Sequence, residues 1–387
     1  MKWTPFLATI IGSLGMSSAA IPQFRAETID PDIKIGYGLT IGDVDGDGRV
    51  DILMADKFDI VWYENPTWAK HVIASKLTLK DNVCIAARDL DGDGKVEVAV
   101  GANWNPGNTI SRRESGSVHY LIAPEDRTQR WKVVRLPNEP TVHRMHWILP
   151  KTGQPELVVL PLHGSGNKGG EGDNGVRIFS YRMPQSEIEN ATNWNLTLLD
   201  ESLHKTHNFD PFGPELAVGG TEGLKILHTT NSTKTEHWIG EPGKALPSGG
   251  IGEIRWGPYP NHHGSEDHRT FAAIEPLHGN EVVIYEPNKT RVVLDTTLKQ
   301  GHGLVCGQFL PGTRQQVVAG WRDKNAQDKV GIRMYHWEND AWTTHTIDDN
   351  TMACEDIKAS DLNGDGKLDL IASGRATKNV IIYWNEG

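Results

Sequence analysis

Residues 43 to 51 read Asp43-Val-Asp45-Gly-Asp47-Gly-Arg49-Val-Asp51, and two later segments follow the same pattern. The second is Asp89-Leu-Asp91-Gly-Asp93-Gly-Lys95-Val-Glu97, and the third is Asp361-Leu-Asn363-Gly-Asp365-Gly-Lys367-Leu-Asp369. Side-chain oxygens at positions 1, 3, 5 and 9, with a backbone carbonyl at position 7, are the oxygen-only ligands that Ca²⁺ prefers, and glycine at position 6 permits a sharp turn. A single segment of this kind is also compatible with a solvated acidic turn. Three in the same context predict up to three structural calcium sites, and we call these segments the acidic loops.

Strands are expected after the acidic loops, where an EF-hand would have a helix. The apolar runs Val50–Met54, Val96–Val100 and Leu368–Ala372 follow directly. Asp43 and Asp89 are 46 residues apart, and Asp361 follows Asp89 by 272 residues, which leaves room for several further units of similar or greater length. A fixed period in this range indicates a repeat architecture.

The units without an acidic loop keep the strand pattern. Their second strands are predicted at Glu156–Leu160, Glu215–Val218, Phe271–Ile274 and Gln316–Ala319. Third strands are predicted at Ile60–Tyr63, Val118–Leu121, Val176–Phe179, Leu224–Leu227, Val282–Tyr285, Ile332–Tyr335 and Val380–Tyr383. Seven units of four short strands predict an all-β fold, a seven-bladed β-propeller.

The two ends of the chain predict how the ring closes. The last unit stops soon after Tyr383-Trp384 and lacks an outer strand, whereas Phe24–Asp30 matches the outer strand Trp342–Asp348 of the preceding unit. We therefore expect the N-terminal strand to complete the last blade. Residues 1–20 have the composition of a secretory signal peptide, which predicts a secreted or periplasmic protein with one propeller domain over residues 21–387.

Charge and hydropathy restrict the kinds of partner that this protein can have. The formal net charge is −11, which argues against a nucleic-acid partner because such a surface repels phosphates. The apolar run of the signal-like segment is too short to span a bilayer comfortably, so no membrane insertion is expected. The oligomeric state is not indicated by the sequence.

Histidines are predicted to gather at the propeller face opposite the acidic loops. They fall at the starts of inner strands or in loops between second and third strands, at His143, His146, His163, His204, His207, His278 and His302. Each one alone is compatible with a hydrogen-bonded strand-end residue. As a set they favour a metal or acid–base site, with His204, His207 and His302 as ligands of Zn²⁺ or a related divalent ion. His143, His163 and His278 join these three as candidate catalytic groups.

Other polar and aromatic residues are predicted to reach the same rim. Arg322 and Arg375 are candidates for holding an anionic group, and Trp104 can stack on a sugar ring. Asn103 and Tyr37 complete the predicted substrate-binding set.

The acidic loops and their following strands resemble FG-GAP (VCBS-type) repeats. A second resemblance covers most of the mature chain, to the propeller portion of fungal aldos-2-ulose dehydratase and its bacterial relatives. It rests on His302-Gly-Leu-Val, Val318–Arg322, Ala353–Ile357 and the repeated Pro-Leu-His-Gly at 161–164 and 276–279. Propeller polysaccharide lyases are similar in fold and in their use of axial histidines. These resemblances imply a metal-assisted carbon–oxygen lyase acting on a keto-sugar or a uronate-containing carbohydrate. The fungal enzyme continues into further β domains, whereas this sequence stops at Gly387.

Two functional hypotheses follow from the sequence. The first is this lyase, in which a histidine-held metal acts as the electrophile and another histidine transfers protons. The second is a non-enzymatic, calcium-stabilised propeller that binds glycans or proteins, because this fold hosts many functions. The second hypothesis leaves the converging histidines unexplained.

Overall fold

Strands of five to seven residues, separated by tight turns, dominate the chain. The computed structural model describes residues 22–150, 153–168, 172–229, 235–257, 269–312 and 314–387. Within these ranges the chain forms seven four-stranded antiparallel sheets. The predicted signal peptide at residues 1–20 lies outside the described residues.

The first strand, β1 (Phe24–Asp30), is separated in the chain from the blade it joins. Blade 1 contains β2 (Gly38–Gly42), β3 (Asp51–Ala55), β4 (Asp59–Glu64) and β5 (Ala69–Ser75). Blade 2 contains β6 (Cys84–Arg88), β7 (Glu97–Ala102), β8 (Ser117–Ile122) and β9 (Lys132–Leu136). Blade 3 contains β10 (Val142–Ile148), β11 (Glu156–Pro161), β12 (Ile178–Arg182) and β13 (Asn195–Asp200), with a 3-10 turn at Ala191–Asn193 before β13.

The remaining blades continue the same order. Blade 4 contains β14 (Thr206–Phe212), β15 (Glu215–Gly220), β16 (Gly223–His228) and β17 (Thr235–Ile239). Blade 5 contains β18 (Ile254–Trp256), β19 (Phe271–Glu275), β20 (Glu281–Tyr285) and β21 (Arg291–Asp295). Blade 6 contains β22 (Gly301–Gly307), β23 (Gln316–Trp321), β24 (Gly331–Glu338) and β25 (Ala341–Asp349). Blade 7 contains β26 (Cys354–Ser360), β27 (Asp369–Gly374) and β28 (Val380–Asn385), and β1 is its fourth strand.

The sheet order confirms the predicted seven-bladed propeller and its closure. Blade 7 has the order β1-β28-β27-β26, and Ala26 of β1 lies opposite Tyr383 of β28. Hydrogen bonds therefore join the N-terminal strand to the last strand of the chain. A sheet that closes in this way leaves few exposed strand edges.

Second strands are buried along most or all of their length because each is covered by a blade on both sides. Every residue of Asp51–Ala55 and of Gln316–Trp321 is buried. Apolar side chains of neighbouring blades pack in shared clusters, such as Leu53 and Trp62 of blade 1 with Val98 of blade 2. Burial on both faces explains the continuous apolar runs in the sequence.

One predicted strand has different bounds. The third strand of blade 3 was expected at Val176–Phe179, but β12 spans Ile178–Arg182. The backbone N–H of Val176 donates to the carbonyl of Leu203, in the connection to blade 4, at 2.6 Å. Val176 therefore joins the connection between blades, and the strand pairing starts two residues later.

Candidate metal and active sites

All three acidic loops connect the first and second strands of a blade. They follow β2, β6 and β26, so they lie in blades 1, 2 and 7, which are contiguous around the closed ring. The glycines at positions 4 and 6 of each loop have φ between +76° and +86°. This left-handed conformation favours glycine, which explains why position 4 is as restricted as position 6.

Each loop folds around the carboxylate at its first position. Asp43 accepts hydrogen bonds from the backbone N–H groups of Gly46 at 2.6 Å and Gly48 at 2.8 Å. Asp89 and Asp361 accept equivalent bonds from the glycines of their own loops. The same donors therefore hold position 1 in all three loops.

Two loops bring three carboxylates together closely enough to share one cation. One oxygen each from Asp43, Asp45 and Asp51 lies within 4.8 Å of the others, and the same holds for Asp89, Asp91 and Glu97. The third loop has Asn363 at position 3 between Asp361 and the buried Asp369. Oxygen-rich clusters of this kind suit Ca²⁺.

The predicted ligands at positions 5 and 7 are not part of these carboxylate clusters. Asp47 and Asp93 are not among the clustered carboxylates, and each accepts a hydrogen bond from the backbone of the residue two positions later. Asp365 bonds to the backbone of Lys367 in the same way. At position 7, Arg49, Lys95 and Lys367 were predicted to contribute only their backbone carbonyls.

The carboxylate at position 9 anchors the acidic loop to the blade through backbone hydrogen bonds. Asp51 accepts from the backbone N–H groups of Val44 and Asn65, both at 2.8 Å. Burial raises its pKa to about 7, and burial likewise raises the pKa of Glu97 to about 7. A bound cation would favour the ionised form of both groups.

Three histidine side chains meet on the opposite side of the propeller. The ring nitrogens of His207, His278 and His302 include one atom each within 4.8 Å of the others. The Nε2 atoms of His207 and His278 are 2.5 Å apart, and the ring centroids of His278 and His302 are 4.9 Å apart. We call these three residues the histidine trio.

Inner strands and one loop position the trio. His207 and His302 are the second residues of β14 and β22, and His278 lies in the loop between β19 and β20. Strand-end positions of successive blades lie side by side around a propeller axis. The sequence predicted His204 as the third ligand, and the structure brings His278 there instead.

Contacts with the next blade orient the ring nitrogens. The Nδ1 of His302 is 2.5 Å from the carbonyl oxygen of Glu355, and the Nδ1 of His207 is 3.3 Å from Oε1 of Glu253. With Nδ1 facing an acceptor, the neutral ring carries its lone pair on Nε2. Backbone carbonyls and carboxylates orient metal-bound histidines in this way.

Burial keeps the trio neutral. Removal from water lowers the pKa of His207 and His302, and it lowers the pKa of His278 to about 2. Neutral imidazoles are the form that binds a metal ion. The donor set therefore fits Zn²⁺ or a related divalent ion with a free coordination position.

His143 is adjacent to the trio but has a different role. Its Nδ1 donates to the carbonyl of His207 at 2.7 Å, and its Nε2 accepts from the guanidinium of Arg144 at 3.1 Å. Both nitrogens are therefore already in hydrogen bonds, and the ring stacks on Trp104 at a centroid distance of 5.1 Å. His143 positions its neighbours, because it has no free nitrogen for a metal.

The other predicted histidines lie outside the trio. His204 is half-buried and pairs its Nδ1 with Oε1 of Glu222 at 2.6 Å. His163 is buried, with an Nδ1 that has no hydrogen-bond partner, and burial lowers its pKa to about 4. His146 lies deeper along β10, where its ring packs edge-on against Phe209.

The predicted anion-binding arginines are engaged with a carboxylate. Arg322 Nη1 donates to both oxygens of Glu355, at 2.9 and 2.8 Å, and Arg375 Nη1 lies 3.3 Å from Oε1. Arg375 also lies over the ring of Tyr37. Asn103 donates to the carbonyl of Arg113. These contacts form part of the rim, but they occupy groups that were expected to face a substrate.

Sequence reasoning missed Glu253, a buried carboxylate beside the trio. Burial raises its pKa, and the nearby ring of His207 with the charges of Arg255 and Arg144 outweighs this, so the pKa lies below its usual range. Glu253 immediately precedes β18, whereas His143, His207, His302 and Glu355 are second residues of their inner strands. A blade-by-blade alignment of inner strands could have found it.

Within the described residues, no helix is long and apolar enough to cross a membrane.

Comparisons with known proteins agree with this architecture. Residues 43–100, which include the first two acidic loops, match the family model of the FG-GAP-like repeat. No curated protein matches the chain. A chain of the crystal structure of the mitotic checkpoint complex is similar in fold, with a TM-score of 0.59 and 12% identity over 99% of both chains.

A second solved structure gives the same result. A chain of the crystal structure of BBS1N in complex with ARL6DN, soaked with lead, has a TM-score of 0.56 and 12% identity. The alignment covers 95% of this chain and 98% of that one. Identities this low show the fold alone. The protein is therefore a seven-bladed β-propeller with an FG-GAP-like repeat at residues 43–100.

Proposed function

We propose that this protein is a secreted or periplasmic metal-assisted carbon–oxygen lyase that acts on a carbohydrate, either a keto-sugar or a uronate-containing glycan. The observation that carries the proposal is the histidine trio, three neutral imidazoles within 4.8 Å at one end of the propeller axis. Structural packing alone does not require three convergent histidines from neighbouring blades. A divalent ion held there supplies a Lewis acid for the oxygen of a carbonyl or carboxylate.

Elimination also requires a group that removes a proton from carbon and one that protonates the leaving oxygen. His204 suits proton transfer because it is partly exposed and its Nδ1 is fixed by Glu222 at 2.6 Å. The neutral ring then leaves Nε2 available as a base. His204 precedes His207 by three residues, so both lie at the same end of blade 4.

The rim supports a sugar substrate through its aromatic surface. Trp104 is half-buried and stacks on His143, which in turn donates to the backbone of His207. An indole face provides a stacking surface for a sugar ring beside the trio. Tyr37 and Arg375 form a second polar wall, with the guanidinium 5.2 Å from the ring centroid.

A direct test follows the formation of a carbon–carbon double bond. The purified full chain, with Zn²⁺ supplied, is incubated with ulose sugars and with uronate oligosaccharides, and ultraviolet absorbance is recorded. We expect absorbance to rise with one of the two substrate classes and to stay flat for His302→Ala. His345→Ala, a change on the outer strand β25, serves as the matched control and should retain activity. No change with either class would contradict the proposal.

A non-enzymatic binding module is the second candidate. It is favoured by the acidic loops and by the FG-GAP-like match at residues 43–100, neither of which requires catalysis. In that case the isolated protein should contain calcium alone. Glycan binding that is unaffected by His302→Ala, together with no elimination, would favour this candidate.

A further inference from the structure

A chamber runs along the propeller axis on the acidic-loop side of the trio. It has a volume of about 420 Å³. All seven blades contribute lining residues, which come chiefly from inner strands such as β2, β6 and β10. Arg88 and Ala359 line it at the ends of β6 and β26, just before two acidic loops begin. The chamber therefore extends toward the face opposite His278.

Positive side chains line this chamber in a protein whose net charge is −11. The four cations are Arg88, Arg144, Arg255 and Lys358. Lys358 is paired with Asp356 at 2.7 Å, so its charge is locally balanced. Arg88 is exposed at the chamber mouth, where its charge can attract an anion.

Arg144 and Arg255 share a single carboxylate. Glu253 Oε1 lies 3.8 Å from Arg144, and Glu253 Oε2 lies 3.3 Å from Arg255. Among the described residues, Glu253 is the one carboxylate within 4.0 Å of either guanidinium. Both arginine side chains are only about one-seventh exposed, at 14% and 15%. The two largely buried guanidinium groups therefore have one carboxylate between them at close range.

Two further carboxylates line the chamber, Asp210 and Asp356, and Asp356 pairs with Lys358. Asp210 accepts from the backbone N–H of Trp256 at 2.9 Å. Isolated buried charges are costly unless they are paired, so a second anion beside the arginines would be stabilising.

We propose that the axial chamber binds a small oxyanion through the guanidinium groups of Arg144 and Arg255. A guanidinium presents planar paired donors that match the oxygens of phosphate, sulfate or carboxylate. Trp147 and Trp256 line the apolar walls and restrict the site to a small ligand. The site adjoins the trio through Glu253 but uses different side chains, and it does not depend on the proposed lyase activity.

Calorimetric titration of the full chain with inorganic phosphate, and in separate arms with sulfate and acetate, tests this site. We expect one of the three anions to bind with a stoichiometry of one. Arg255→Gln should weaken that binding about tenfold or more, since a hydrogen bond to a charged group contributes about 1.5–3 kcal/mol. Arg135→Gln, on the exposed outer strand β9, should bind as the wild type does.

A further variant distinguishes anion binding in the chamber from anion binding to a metal held by the trio. His278→Ala removes a trio ligand and should leave anion binding unchanged, whereas binding to a metal would be lost. Arg255→Lys keeps the charge but removes the paired donors, and it gives a second measurement if Arg255→Gln does not fold. The proposal is overturned if the wild type binds none of the three anions, if the folded arginine variants bind as tightly as the wild type, or if His278→Ala abolishes binding.

Discussion

The Nε2 atoms of His207 and His278 face each other at 2.5 Å, although the residues belong to neighbouring blades. His207 comes from the inner strand β14, and His278 comes from the loop between β19 and β20. Each ring is kept neutral by burial, which lowers both pKa values. Two lone-pair donors aimed at one point, with His302 beside them, form the donor set on which the proposed chemistry depends.

Replacing His278 and His204 separately should distinguish a metal ligand from a proton-transfer group. His278→Ala should lose the bound divalent metal and the activity, because it removes one of three ligands. His204→Ala should retain the metal and lose most of the activity, typically 10²- to 10⁴-fold for a general acid–base group. Metal content and elimination rate are measured on both proteins. Loss of metal from His204→Ala with retention in His278→Ala would reverse these assignments.

Glu253→Gln should weaken metal binding without removing a ligand. The carboxylate lies 3.3 Å from His207 Nδ1 and fixes the orientation of that ring. Loss of such a partner typically costs 10- to 100-fold in metal affinity. Competition with a chelator measures the affinity, and Glu222→Gln is the matched control because Glu222 contacts His204 instead. Equal affinities in the two variants would show that Glu253 does not support the site.

The acidic loops should stabilise the fold through calcium. Asp91→Ala removes one of three clustered carboxylates and should lower the calcium stoichiometry by one. An ion present at a hundred times its Kd stabilises the folded state by about 2.7 kcal/mol, so the Tm in calcium should fall accordingly. Glu125→Ala removes an equal charge from an exposed loop and should leave the Tm unchanged.

Activity of the Asp91→Ala protein is informative as well. The loop lies at the end of the blade opposite the trio, so the folded variant should keep its elimination activity. Loss of activity at an unchanged Tm would contradict this division between the two faces.

Buried His119 should make the protein less stable in acid. Burial, with a further contribution from Arg135, lowers its folded-state pKa to about 4 from 6.5. Between these values the unfolded chain binds a proton that the folded chain does not, so stability falls as pH decreases from 6.5 to 4. The difference corresponds to about 3 kcal/mol at the lower pH.

Urea unfolding at several pH values measures this dependence. His119→Asn should flatten the curve between pH 6.5 and 4 relative to the wild type. Thr344→Ala, at an exposed position of β25 that does not titrate, provides the control. An unchanged slope in the His119 variant would show that this residue does not contribute.

The blades could be predicted from sequence, but much of the site could not. Acidic loops and apolar strands recur with a fixed order, and Phe24–Asp30 matches an outer strand, so ring closure follows from pattern. The third strand of blade 3 starts later than predicted because the backbone of Val176 bonds to Leu203 instead of pairing within the sheet. A pattern of apolar residues does not predict such a backbone hydrogen bond.

Side-chain partners explain where the arrangement at the histidine face differs from the predicted one. His204 and His278 both lie at the correct end of the propeller, and only three-dimensional packing shows that His204 contacts Glu222 while His278 contacts His207. Arg322 was expected to hold a substrate anion, but Glu355 already occupies its guanidinium. The positions were therefore predictable from topology, whereas the pairing depended on neighbouring blades.

The metal content of the purified wild-type chain tests the central claim most directly. Elemental analysis after dialysis against metal-free buffer should give one zinc-like divalent ion per chain, in addition to calcium, and the His278→Ala protein should lack that ion while retaining calcium. Calcium as the sole metal in wild-type protein that had been supplied with Zn²⁺ would contradict the account.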